Sequence, residues 1–382
     1  MPRFFPALVI ALLMSSAAHA QAPSVLSVPP DTSRWDYAGD VRPDEYQGRR
    51  CLLVNGGLAF VRDLRMRDGV IDVDVAASKG RGFIGLEFRA SDDIANAEWI
   101  YLRPHESGQA DAIQYTPVLN TGANWQIYNG DGFTGAVDIP IEAWFHVRIE
   151  VAGTQARLFV GDMDKPALVV PDLKSGVREG RVGIRVLTGK TFFSNFQVRT
   201  TPDAPWERHL PPMPPGTLTQ WKISPSYDAL ARDLERPLTN AERDTMRWQD
   251  VEAEPPGFVV LYRYRLAPHL RVSFENDFSK RLEPQPGMLV LYARTTIHSD
   301  RDQVKKLLMG YSDDVSVFLN GKILYRGRSA QYFRDPRFLG IVNPENDVLY
   351  LSLHKGENEL VLAVSEIGGG WGFICRLAEA GT

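Results

Sequence analysis

Short runs in which apolar and polar residues alternate recur along most of this chain. In residues 70–75, Ile71, Val73 and Val75 alternate with Asp72 and Asp74; in 145–151, Val147, Ile149 and Val151 alternate with His146, Arg148 and Glu150; residues 181–187 and 192–198 repeat the pattern. A period of two is that of a strand with one face in a core. Turn chemistry separates the runs, at Asn55-Gly56-Gly57, Arg67-Asp68-Gly69, Asn129-Gly130-Asp131-Gly132 and Ala152-Gly153-Thr154, where glycine and Asx residues tolerate the backbone of tight turns. No long helical period interrupts them. Many short strands at this spacing predict an antiparallel β-sandwich with polar outer faces.

A composition break follows. Residues 200–216 hold six prolines, which remove ladder donors and favour an extended, semi-stiff connector; Trp206 inside it is expected to dock the connector onto one side. Beyond it strands return at 218–224, 258–266, 288–297, 306–310, 315–319, 348–353 and 359–364. Asn320-Gly321 marks a hairpin, and Thr239 with Glu242 marks a capping box for a turn or two of helix. Asp313 and Asp314 read as a turn with local hydrogen bonds, and glycines 368–370 as a bulge before Trp371. The expected fold class is therefore all-β: two antiparallel β-sandwich (jelly-roll) domains, residues 21–200 and 217–382, joined by a Pro-rich linker at 201–216.

The first twenty residues carry one basic residue, Arg3, an apolar run at 7–14 and the small-x-small site Ala18-His19-Ala20, which is the pattern of a secretory signal peptide. The apolar run is too short to cross a membrane, and no later stretch approaches spanning length. The mature chain is expected from Gln21, in the periplasm or outside the cell. Its formal charge of −4 becomes about −5 without Arg3, and with no basic stripe or arm, nucleic acid is not an expected partner. The two cysteines, Cys51 and Cys375, lack metal-ligand spacing and read as separate buried thiols. Seven histidines, one of them in the leader, are scattered singly, so no metal centre is expected.

The chemistry concentrates in residues 81–103. Alternation sends Ile84, Leu86 and Phe88 to one face and Gly85, Glu87 and Arg89 to the other; in 99–103, Ile100 and Leu102 face inward while Trp99, Tyr101 and Arg103 face outward. A carboxylate, guanidinium groups and aromatic rings on one outward face suit a sugar-like ligand, with hydroxyls to bond and apolar ring faces to stack on. The candidate ligand-binding set is Glu87, Arg89, Trp99, Tyr101 and Arg103, with Trp125 as a further platform. The competing reading is a solvated sheet face carrying ordinary surface charges.

The fragments FIGLEFR, WIYLRP, WFHVRIEVAGTQARLFVGD and GRVGIRVLTGKTFFSNFQV, above all Trp144-x-x-Val147-x-Ile149-x-Val151 followed by Gly153 and Leu158-Phe159-Val160, resemble the concanavalin A-like lectin/glucanase superfamily, in particular its laminin-G-like and 3-keto-disaccharide-hydrolase-like branches, over residues 30–200. The resemblance implies a jelly roll with ligands across its concave sheet or at its rim loops. The glucanase branch places carboxylates at alternating strand positions; the nearest match, Asp72-Val73-Asp74-Val75-Ala76, lacks the Glu at both ends, so no catalytic pair transfers and Asp72 and Asp74 read as a solvated face. Glu87 is the better-placed acid. Arg89, two residues on, would hold it ionised and unfit as a general acid, unless Asp92 or Asp93 approaches. Laminin-G-like domains sometimes bind calcium, and Asn129, Asp131 and Asp138 offer oxygens; a hairpin turn is the preferred reading, with no cofactor required. The fragments GYSDDVSVFLNGKILYRG, LHKGENELVLAVSE and GGGWGFICRL resemble galactose-binding-like jelly rolls of secreted glycosidases, which bind sugars or act as structural lids.

Two functions follow. The preferred one is a carbohydrate-binding or surface-interaction protein without a catalytic centre; the alternative is a carbohydrate-active hydrolase working in the groove of the first domain. A structural protein of the cell envelope is the third.

Overall fold

A computed structural model describes residues 25–200, 212–266 and 286–378, and over them the chain is almost wholly antiparallel β-structure. The leader, most of the proline-rich stretch and Trp206 lie outside the described residues. No described helix is long and apolar enough to cross a membrane.

Two long bent strands organise residues 25–200. Asn55-Gly56-Gly57, expected as a turn between strands, instead bends a single strand, Arg49–Met66, of 18 residues. A Cβ on Gly57 would stand 2.4 Å from the Ala38 carbonyl oxygen, at a φ of +155°, so only glycine passes there. The runs at 181–187 and 192–198 likewise belong to one strand, Gly180–Thr200. Its first part pairs with Phe83–Ala90 and its second with Gly69–Ala77, and Arg49–Met66 follows it through both parts. A strand that serves two sheets folds one over the other. The front layer continues from Phe83–Ala90 through Ala97–Leu102 to Ile113–Leu119; the back layer runs from Gly69–Ala77 through Trp144–Ala152 and Gln155–Val160. Between them Ile71, Val73, Val75, Val147 and Ile149 pack against Ile84, Leu86, Phe88, Ile100 and Ile184, the residues that alternation assigned to the core.

Residues 212–266 and 286–378 form a seven-stranded and a four-stranded sheet enclosing a second core. The hairpin turns at Asn320-Gly321, both at positive φ, and the capping box of Thr239 and Glu242 opens a six-residue helix, Asn240–Thr245. The strand expected at 258–266 stops at Val260 and continues as a 3₁₀ turn, Leu261–Arg263. Asp313 and Asp314 are buried, and their side chains bond groups distant in sequence. Asp314 receives two bonds of 2.6 Å from Arg328, and Asp313 accepts from the amides of Ile367 and Gly368. Glycines 368–370 lie in the loop between the strands Gly356–Glu366 and Gly372–Ala378 rather than in a bulge. Cys51 and Cys375 are free and buried in different clusters.

More than a connector joins the two halves. Ile127 and Tyr128 from the first belong to the second core. Gln126 bonds the second half through every polar group it has: its amide to the Gly369 carbonyl (3.0 Å), its carbonyl to the Val342 amide (2.8 Å), Nε2 to the Leu339 carbonyl (3.0 Å) and Oε1 to the Ser312 hydroxyl (2.8 Å). A second bridge runs from the Lys174 carbonyl to Arg263 (2.9 Å), which pairs with Glu254, the acceptor of the Tyr128 hydroxyl. If these contacts hold the halves, a chain with a protease recognition sequence engineered between Pro205 and Pro211 should, after cutting, elute from gel filtration as one species of intact size. Elution as two half-sized species would show the seam too weak to matter.

Candidate functional site

The outer face of the front sheet carries the predicted residues, but not in solvent. Glu87 is 0 % exposed, Trp99 and Tyr101 2 % each and Arg103 6 %, which corrects the expectation of an exposed polar face. The reason is a two-tier packing. Trp99 and Tyr101 stack at 4.2 Å between centroids and join Phe60 and Val118 in an apolar cluster edged by Leu58 and Phe83. Guanidinium groups then lie across the rings: Arg185 over Trp99 at 5.7 Å, Arg103 over Tyr101 at 4.9 Å and Arg181 over Phe60 at 4.8 Å. Arginine stems cover apolar surface while their heads reach for water and π-faces; the side chains of Arg185 and Arg181 keep 16 % and 20 % exposure.

Arg89 leaves this group. The strand gains a residue between Glu87 and Ala90 relative to its neighbour, and Arg89 sits at a φ of +51°. Such a bulge breaks the alternation and re-aims the side chain. Arg89 is wholly buried elsewhere, donating to the carbonyls of Arg67 (2.7 Å) and Gly153 (2.6 Å) and pairing with Asp68 at 3.0 Å. It is therefore not the partner of Glu87.

Arg185 takes that place, with Nε 2.6 Å from Glu87 Oε1. Glu87 Oε2 has no hydrogen bond among the described residues, nor does the indole Nε1 of Trp99, the residue directly across the ladder. Burial pushes the Glu87 carboxyl up to about 7 against the pull of Arg185; among the described residues no second carboxylate acts on it. Asp92 is held by Arg65, and Asp93 by Ser91 and the Ala95 amide. Removing water from a carboxylate favours its neutral form, so Glu87 titrates near neutrality.

At the other end of the face the Tyr101 hydroxyl donates to Gln114 Oε1 at 2.7 Å, and Arg103 donates to the same oxygen and, at 2.8 Å, to the Tyr101 hydroxyl. Arg103 also faces Asp111 at 3.6 Å. Trp125 is half-buried on the adjoining loop. Arg185, Arg181 and Gln114 escaped the sequence reading. The alternating run at 181–187 contains both arginines, and only the pairing of that strand with Phe83–Ala90 shows which face they share. Glu98 escaped it too: it points to the core side, accepts from the Tyr115 hydroxyl (2.7 Å) and the Ser175 amide (2.9 Å), and burial raises it to about 7.

The back sheet has its own polar cluster. Asp72 and Asp74 are not a solvated face: His146 reaches Asp74 at 2.7 Å and Asp72 at 3.0 Å, Arg148 and Arg199 pair with Asp72, and Arg49 and Asn195 with Asp74. Burial pushes the Asp72 carboxyl up, and the bonds from Arg148 and His146 outweigh it and hold the group below its ordinary value. Every acidic oxygen named here is engaged within the cluster. Among the described residues no group of three or more His, Cys, Asp or Glu is placed to hold a metal, Asp131 and Asp138 included.

No protein-family model matches the chain, and no curated protein matches it. Solved structures similar to it include a carbohydrate-binding module from Bacillus subtilis (15 % identity, 43 % of this chain and 94 % of that one, TM-score 0.34), a protein with a galectin-like fold from Bacillus subtilis (12 %, 47 % and 100 %, 0.36) and a Bacillus licheniformis β-glucanase (10 %, 48 % and 100 %, 0.33). At such scores these likenesses carry no argument about what this chain does.

Two outcomes follow from the buried face. Trp99→Ala should destabilise the chain by about 3–5 kcal/mol, the cost of a large buried aromatic; an unchanged thermal midpoint would mean that Trp99 is a surface residue. Glu87 has a folded value above its unfolded one, so the native state holds the extra proton between about 4.5 and 7, and its contribution to stability falls as pH rises through that window. The stability of Glu87→Gln relative to the parent should therefore improve from pH 5 to pH 8 in paired thermal melts, and a difference independent of pH would contradict the burial of this carboxyl.

Proposed function

We propose that this is an extracytoplasmic glycan-binding protein whose ligand lies across the outer face of the front sheet. The leader at 1–20 delivers it, residues 21–200 form a concanavalin A-like lectin domain with laminin-G-like kinship, and residues 217–382 form a galactose-binding-like module. The observation that carries the reading is the pairing of Glu87 with Trp99. The buried Glu87 Oε2 and the buried indole N–H of Trp99 stand side by side on an aromatic floor without a hydrogen-bond partner among the described residues, while Glu87 Oε1 is paired with Arg185 at 2.6 Å. Native folds rarely leave such groups unmatched, and a sugar offers both a hydroxyl to donate and an oxygen to accept.

In this arrangement Trp99 stacks on a sugar ring with Tyr101 beside it as floor under Arg103, Glu87 accepts from a hydroxyl, and Arg185 and Arg103 donate. Arg185 must first leave the Trp99 ring, which its flexible stem allows. Trp125 extends the platform; Arg89, turned away by the bulge, takes no part.

One observation favours a glycoside hydrolase: a carboxyl titrating near 7 is suited to general-acid work. Hydrolysis also needs a second carboxyl about 5–10 Å away, and among the described residues the charge acting on Glu87 is Arg185 alone, which favours binding over turnover. The test is an oligosaccharide array followed by calorimetric titration of the best binder. Affinity should rise from pH 6 to pH 8 as Glu87 ionises, and Glu87→Gln should weaken binding about 10–100-fold, as for loss of a charged hydrogen bond. Release of reducing ends that Glu87→Gln abolishes would replace this reading with the hydrolase; an array without a binder would remove both.

A further inference from the structure

The side chain of Gln114 is wholly buried and uses all four of its hydrogen-bonding positions. Its Oε1 accepts from Tyr101 and Arg103. Its Nε2 donates to the carbonyls of Trp125 at 2.8 Å and Tyr128 at 2.6 Å. One amide thus binds two residues of the proposed ligand face and two of the loop that enters the second half. An amide carbonyl with two lone pairs and an NH₂ with two protons can do no more, so the arrangement fixes both groups at once.

The same loop is set from the other side. The Gln126 amide donates to the Gly369 carbonyl, and a Cβ on Gly369 would stand 2.5 Å from Gln126 Oε1 and 2.9 Å from Trp125 Nε1, at a φ of +101°. The backbone of the second half therefore lies directly against the indole of Trp125. Ser312 and Leu339 complete the seat.

We propose that the second half is a working part of the ligand site: it seats Trp125, and Gln114 is the positioning residue that ties this seat to Tyr101 and Arg103. The site is then built from both halves, and the second half acts through the loop without needing a ligand of its own. The proposal rests on the glycan-binding reading only for its affinity arm; the position of Trp125 is measured without any saccharide.

Acrylamide quenching of the full chain minus that of its Trp125→Phe variant reports the exposure of Trp125. It is measured in the parent, in Gln114→Met and in Ser312→Ala, the last a mild change that removes one hydroxyl of the seat from the second half. Both variants should raise the Trp125 quenching constant at least twofold. With the tightest oligosaccharide of the array as probe, at a temperature well below every midpoint, both should weaken binding about 5–10-fold, and Trp125→Ala should cost much less in the Gln114→Met background than in the parent. A purely structural role predicts lowered midpoints with unchanged quenching, unchanged affinity and additive effects, and any folded variant giving that result overturns the proposal. Should Gln114→Met fail to fold, Ser312→Ala decides alone. If no saccharide binds, the glycan reading falls while the quenching arm still decides the positioning of Trp125.

Discussion

Gln126 is the residue on which the arrangement of the two halves depends. Its amide, carbonyl and both side-chain termini bond groups of the second half, and the next residue, Ile127, enters the second core. A buried polar group is expensive to leave unpaired, so a loop with four such bonds has one low-energy position. From that position follow the placement of Trp125 against Gly369, the contact of Tyr128 with Glu254 and, through Gln114, the settings of Tyr101 and Arg103.

The front face shows the opposite economy. Its aromatic floor and guanidinium layer are packed as tightly as a core, yet Glu87 Oε2 and the indole Nε1 of Trp99 are left without hydrogen bonds among the described residues. Burying a carboxylate beside an arginine gains little net stability, and a well-packed apolar pair in place of both would fold about as well. The tension between thorough packing and unmatched polar atoms is what the proposed function rests on. On the back face the acids are fully bonded within their cluster, and the indole Nε1 of Trp144 is a buried polar atom left without a partner among the described residues.

Alternation along the chain was enough to read the strands and their core residues, because the period of two is imposed by the pleat and holds wherever a strand is regular. It failed where strands are irregular or shared. The bulge at Arg89 inverted one side chain, Gly56 and Gly57 bent a strand instead of ending it, and the two layers served by Gly180–Thr200 appear only when its pairing is known. The candidate face was legible as a set, since Glu87, Trp99, Tyr101 and Arg103 do lie together. Its burial was not, because two of the three arginines that cover it, Arg181 and Arg185, come from a strand almost one hundred residues away in sequence. Gln114 carried no local signal at all: an isolated amide in an apolar run gains meaning only from the four groups that converge on it.

Backbone hydrogen exchange of the intact chain, with and without a saturating oligosaccharide from the array, tests the central claim that face and seam act as one site. The account predicts slowed exchange in residues 83–103 and 114–128 together with 339–342 and 367–371 of the second half. Slowing confined to one half, or centred on Asp72, Asp74 and His146 of the back sheet, would contradict it.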